Sequence, residues 1–162
     1  MSAGVEFSKP SAFARAENFK VVFLNPGFSE DSSTGSFWSN VTLFMEAAAT
    51  DLDIELVTIY AQRNHIFMKS LVEKVIAQKP KYVVLVNEKG IALDIIKQLA
   101  RHDIASFMLL NKLSNKDLKL LSSKENRLLK GSVIPNNHNG GRKLFTGLIN
   151  LYQTHSHNLH PN

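Results

Sequence analysis

KYVVLVNEKG, residues 81–90, is the stretch on which the architecture turns. Its core, Tyr82–Val86, is apolar throughout and shows no alternation. A strand with one wet face alternates apolar and polar side chains; a strand covered on both faces need not, and that is the state of a central strand in a parallel sheet. The run stops at Asn87, and Gly90 is read as opening a helix to about Arg101, with Ile91, Ile95, Ile96 and Leu99 inward. Upstream, Phe67, Met68, Leu71, Val72, Val75 and Ile76 predict one helix from about Ile66 to Gln78. Pro80 closes it by disfavouring helical geometry in the residue before it.

The same alternation extends in both directions. Phe19–Leu24 and Ile54–Tyr60 read as strands, and Phe37–Thr50 between them as a helix with Val41, Phe44, Ala47 and Ala48 on its inner face. Downstream come a strand at Ile104–Leu110, a short helix from Asn115 to about Leu121 with Ser114 as N-cap, and a short strand at Gly131–Ile134. A last helix, Gly140–Tyr152, carries Leu144, Phe145, Leu148, Ile149 and Leu151, and residues 154–162 form a loose tail. Strands alternating with helices specify an α/β fold, a three-layer αβα sandwich around a parallel, doubly wound sheet. Such sheets host many unrelated functions, so the fold alone names none.

Composition sets further bounds. A chain of 162 residues makes one domain, or one domain and a fragment of a second. Its hydrophobic share, 44%, is enough for a core and argues against wholesale disorder. The net charge of +5 comes from scattered lysines and arginines with no aromatic-interleaved basic stripe, which argues against nucleic-acid binding. Without cysteine there are no disulfides, thiolate metal sites or cysteine nucleophiles. Residues 1–20 lack the apolar core of a secretory signal, so the expected location is the cytosol, or the periplasm after removal of a signal peptide.

Chemistry concentrates past the strand ends. In open α/β sheets ligands collect in the crevice beyond the carboxyl ends of the strands. There the first strand empties into Asn25-Pro26-Gly27, a run of acidic and hydroxyl residues, and Ser36, Phe37 and Trp38. Paired aromatics beside amides and hydroxyls suit a ligand with an apolar face and a polar rim, such as a sugar. No nucleophile elbow, Ser/His/Asp order or carboxylate pair can be assembled, so no catalytic residue is expected. Neither GxGxxG nor GxxxxGK[ST] is present, and no cofactor is expected. His155, His157 and His160 read as incidental tail histidines rather than metal ligands.

Taken together, Phe37-Trp38, MEAAATDLDIELVTIYAQRN (Met45–Asn64), QKPKYVVLVNEKG (Gln78–Gly90), IASFMLLNK (Ile104–Lys112) and PNNHNGGRKLFTGLI (Pro135–Ile149) resemble the amino-terminal lobe of type I periplasmic binding proteins, the ribose- and galactose-binding relatives. The resemblance implies a sugar or polyol ligand, bound by Ser36, Phe37 and Trp38 at the cleft wall, Arg63 and Asn64 at its floor, and Asn87, Asn111, Lys112 and the hinge residue Asn137. Asn111 stands where such relatives often carry an Asp, and Lys112 where an Arg is common. The resemblance further implies a periplasmic location, hinge closure read by an ABC permease or a membrane sensor kinase, and no enzymatic activity. Residues 1–18 would be a loose extension, 19–136 the lobe, and 137–162 the first helix of a truncated second lobe plus tail. That helix, without its usual partner strands, would pair with another copy or fold back over the open sheet edge. Two other readings remain open: the effector core of a lactose-repressor-type regulator, and a small flavodoxin-like enzyme.

Overall fold

β1 (Lys20–Asn25), β2 (Glu55–Tyr60), β3 (Tyr82–Leu85), β4 (Ala105–Leu109) and β5 (Leu129–Val133) pair in parallel, in the order β2-β1-β3-β4-β5. The computed structural model describes residues 19–29 and 36–136, with positions 139, 142, 143, 145, 146 and 149 beyond them. Residues 1–18, 30–35, Asn137, most of the helix expected over Gly140–Tyr152 and residues 153–162 therefore lie outside the described residues. The helices are α1 (Phe37–Asp51), α2 (His65–Ser70), α3 (Val72–Ala77), α4 (Ala92–Arg101), α5 (Asn115–Leu118) and α6 (Ser123–Leu128). Among the described residues no helix is long and apolar enough to cross a membrane.

One face of the sheet is closed by α2, α3, α4 and α6. Val22, Leu24, Val83, Leu85 and Met108 point into it and pack with Met68, Val72, Val75, Ile95, Ile96 and Leu99. Burying a side chain of this size contributes about 1.5–3 kcal/mol, so this layer is the main source of stability. The opposite face carries α1, above Phe23 and Asn25. Right-handed connections force this division: β1 to β2 steps one way across the sheet and β3 to β4 the other, so their helices lie on opposite faces. The strand order reverses between β1 and β3, and that is where a doubly wound sheet opens its crevice.

Several expectations are corrected. α1 does not bury Phe44, Ala47 and Ala48; it buries Thr42 and Ala49, with Trp38, Val41 and Met45 partly covered, and leaves Phe44 77% exposed. The reason is polar. Asn25 Nδ2 donates to Thr42 Oγ1 at 2.9 Å, and Tyr60 Oη reaches the same hydroxyl at 3.4 Å, so a hydroxyl replaces an apolar group at the centre of the seam. The single helix expected over 66–78 is two, divided at Leu71, whose N–H is shared between the carbonyls of Phe67 (3.1 Å) and Met68 (3.3 Å). Gly90 does not open α4. It sits in the turn before it at φ +82°, a conformation costly for residues with a Cβ. The region after Asn115 holds two helices, and α6 is begun by a capping box, with Ser122 Oγ accepting from Glu125 N and Glu125 Oε2 accepting from Ser122 N.

Candidate binding edge

Past the carboxyl end of β1 the backbone goes on pairing for one more turn. Ala61 N donates to Asn25 O (2.8 Å), Arg63 N to Pro26 O (2.8 Å) and Gln62 N to Gly27 O (2.9 Å), which ties the loop after β1 to the loop after β2. Asn25 anchors this junction from below. It is fully buried; its Oδ1 accepts from Gly27 N at 2.7 Å, and its Nδ2 donates to Thr42 Oγ1 and, at 3.3 Å, to the carbonyl of Trp38. Gly27 is required by close approach, since a Cβ there would run into the Cβ and Cγ of Trp38. Trp38 is thus fixed to the strand end by its own backbone and by its neighbour's missing side chain. Phe37 meets it edge-on, with ring centroids 5.0 Å apart, and stays exposed.

Two tight turns shape the adjoining rim. Asn64 N donates to Ala61 O (2.9 Å) with Gln62 and Arg63 at φ +54° and +56°. Ile91 N donates to Glu88 O (3.1 Å) with Lys89 and Gly90 at φ +50° and +82°. Positive φ at both central residues is the type I′ arrangement, which normally calls for Gly, Asn or Asp. Gly90 meets that requirement, whereas Gln62, Arg63 and Lys89 adopt it at a cost on the order of 1 kcal/mol each. A cleft of about 30 Å³ between the turns is lined by Pro26, Arg63, Asn64, His65, Glu88 and Lys89, with Ala61 and Met68 beneath.

The amides hold the rim together. Asn64 Oδ1 accepts from Ile66 N and Phe67 N, both at 3.0 Å, and caps α2. Asn87 Oδ1 accepts from Ala92 N at 3.1 Å at the start of α4. Asn111 clasps the peptide of Asn87, its Oδ1 accepting from Asn87 N (2.9 Å) and its Nδ2 donating to Asn87 O (3.2 Å). The Oδ1 atoms are therefore engaged. Among the described residues the Nδ2 groups of Asn64 and Asn87 have no protein partner, and Asn111 Nδ2 keeps a second N–H. Arg63, Lys89 and Lys112, all exposed, have no ion-pair partner among the described residues. The edge is rich in donors and suits a ligand rich in oxygen acceptors.

Of the residues expected to bind, Ser36, Phe37, Trp38, Arg63, Asn64, Asn87, Asn111 and Lys112 all lie past the carboxyl ends of β1–β4, on one edge. They fall into neighbouring groups: the aromatics on Gly27, Arg63 and Asn64 at the cleft, and Asn87 clasped by Asn111. Asn137 lies outside the described residues. Sequence reasoning ranked a ligand role second for Glu88 and Lys89, after a helix entry, and for His65, after an ordinary loop histidine; all three line the cleft. The available signal was Lys89-Gly90 directly after a strand, which marks a turn rather than a helix start. Among the described residues no group of three or more His, Asp or Glu side chains is placed to hold a metal.

Fold and edge together have the architecture of a single lobe of the periplasmic binding proteins. The chain is similar to a periplasmic sugar-binding protein from Pseudomonas fluorescens at 29% identity, over 89% of this chain and 38% of that one, with a TM-score of 0.62. An ABC sugar transporter subunit from Rhodobacter sphaeroides matches at 15% identity over 77% of this chain and 38% of that one, with a TM-score of 0.56, a likeness of fold alone. The chain therefore spans well under half the length of either. No protein-family model and no curated protein matches it.

Proposed function

We propose that this chain is the sugar-recognising lobe of a periplasmic solute-binding protein, with residues 19–136 as the lobe and 137–162 leading into a second lobe. The observation that supports this reading is that Trp38, Arg63, Asn87 and Asn111 all lie past the carboxyl ends of β1–β4, on one edge of the sheet, together with the exposed Phe37 ring. A pyranose or furanose ring stacks on Phe37 and Trp38, while its oxygens accept from Arg63, Lys112 and the free amide N–H groups. Asn137 joins the ligand at the hinge. Closure of a second lobe over the ligand then shifts an open–closed equilibrium that an ABC permease or a membrane sensor kinase reads. The likeness to sugar-binding and transporter proteins supports this role, a periplasmic location after signal-peptide removal, and a non-enzymatic activity. Self-association through the last helix belongs to the same reading.

Trp38 is the chain's only tryptophan, which makes the test direct. A closed two-lobe protein with micromolar affinity binds with about −8 kcal/mol, and half of that corresponds to a dissociation constant of about 1 mM. Titration with pentoses, hexoses and polyols is expected to give a saturable change in Trp38 emission in that range, weakened by Asn87→Ala. Absence of a saturable response from every sugar, by emission and by calorimetry, would overturn the assignment. Micromolar affinity would instead show that one lobe suffices without closure.

A further inference from the structure

Donors and acceptors are unequally available at the binding edge. The carbonyls of Asn25, Pro26, Gly27, Ala61, Asn87 and Glu88 each already accept a hydrogen bond from the protein itself. Asn64 Oδ1 accepts twice, from Ile66 N and Phe67 N, which uses both of its lone pairs. Asn111 is held to an amide by the same accounting. Its Nδ2 donates to Asn87 O at 3.2 Å, and an aspartate there would set a carboxylate oxygen against that carbonyl. The clasp therefore keeps a carboxylate acceptor off the edge. Around the cleft the free acceptors are the Glu88 carboxylate and one ring nitrogen of neutral His65. Against them stand the amide N–H groups of Asn64, Asn87 and Asn111, the Arg63 guanidinium and the Lys89 ammonium, with Lys112 just past Asn111.

A neutral sugar needs acceptors as much as donors, because each of its hydroxyls carries an O–H. A carboxylate only accepts, and its two oxygens match the planar fork of an arginine. Resting on the sugar-lobe reading, we infer that the ligand of this edge is an acidic sugar of the uronate type. Its carboxylate sits between Arg63 and Lys89, and Glu88 accepts from one of its hydroxyls. Two cations line the cleft against one carboxylate, and neither has an ion-pair partner among the described residues. Both hold positive φ, +56° at Arg63 and +50° at Lys89, in turns that ordinarily take small residues, so the strain is kept where the cations face the ligand. The cleft is about 30 Å³, close to one water's share of liquid volume. That size suits a planar carboxylate better than a tetrahedral phosphate.

The test compares matched ligands on the full chain at constant ionic strength, with Trp38 emission and calorimetry as readouts. Glucuronate and galacturonate are titrated beside glucose and galactose, with glucose 6-phosphate, acetate and inorganic phosphate as further arms. At least one uronate is expected to bind at least tenfold tighter than its neutral sugar, and added salt should erode that ratio. Arg63→Gln/Lys89→Gln, at two exposed positions, should bring the ratio close to one with an unchanged circular dichroism spectrum. Neutral sugars that bind as tightly as their uronates would overturn this inference and leave the sugar-lobe reading standing. Silence from neutral and acidic sugars alike would overturn both. Acetate or phosphate binding as tightly as a uronate, tighter binding of glucose 6-phosphate, or a ratio that survives the double glutamine variant would each overturn the uronate assignment.

Discussion

Replacing Asn25 tests whether the binding edge hangs on one buried amide. Asn25 is fully buried and makes three bonds, to Gly27 N at 2.7 Å, Thr42 Oγ1 at 2.9 Å and Trp38 O at 3.3 Å. In Asn25→Ala, Thr42 retains Tyr60 at 3.4 Å, but the Gly27 N–H and Trp38 carbonyl lose their side-chain partner. The Trp38 carbonyl still accepts within α1, so the Gly27 N–H is the buried group left unpaired, and the expected loss is about 1–3 kcal/mol. That is an appreciable share of the roughly 5–15 kcal/mol that holds a domain together. Urea unfolding followed by far-ultraviolet circular dichroism gives the free energy, and Trp38 emission reports whether the aromatic pair has moved. Asn25→Asp adds a pH signature. Its carboxyl can still accept from Gly27 N, but facing the Trp38 carbonyl it must carry a proton, and burial raises its pKa. With a raised folded pKa, the neutral form is tolerated at low pH and stability is lost as pH rises above the unfolded carboxyl value, so the deficit against the native chain widens from about pH 4 to about pH 7. A loss under about 1 kcal/mol for Asn25→Ala, or a pH-independent deficit for Asn25→Asp, would refute the reasoning.

Other outcomes follow from single contacts. Gly27→Ala drives a Cβ into Trp38 and is expected to cost about 1–3 kcal/mol with a shift in Trp38 emission, both readable in one urea titration. Ser122→Ala removes half of the α6 capping box and is expected to cost about 1 kcal/mol by thermal melting. The Glu125 carboxyl, held low chiefly by the Ser122 backbone N–H and also by its hydroxyl, should move up only in part. Its contribution is present above the unfolded carboxyl pKa and lost as pH falls through the lowered folded value. Lys124→Gln removes the hydrogen bond and charge that depress the Asp103 carboxyl; an NMR titration should show that pKa rise, with no measurable change in stability, because the pair is exposed. Asn111→Ala releases the Asn87 peptide and is expected to weaken the Trp38 sugar response more than it lowers the melting temperature.

Most of the layer order was legible because a parallel sheet writes unbroken apolar runs and its helices write a 3.6-residue period. Val83, Leu85, Ile95, Ile96 and Leu99 are in the core where that pattern puts them. The pattern misled at α1, where Thr42 reads as outward but is buried against Asn25, a pairing seventeen residues apart that no local period encodes. The break at Leu71 has no glycine or proline to announce it. α6 was announced, by Ser122 and Glu125 three residues apart, but the helix it starts is only six residues long and carries no clear apolar face. At the edge, the residue types were visible and their engagements were not. Asn64, Asn87 and Asn111 look in sequence like free amides, whereas each binds backbone first, and what remains for a ligand is mainly their N–H groups.

The paired left-handed turns that carry Arg63 and Lys89 have an implication for engineering. Glycine at Gln62, Arg63 or Lys89 would relax the backbone, so a screen for heat tolerance alone should enrich such replacements. The same replacements at Arg63 and Lys89 would strip the rim of two cations beside the cleft. Thermal hardening and recognition therefore pull against each other at these positions, and a variant library scored on both would separate them there first.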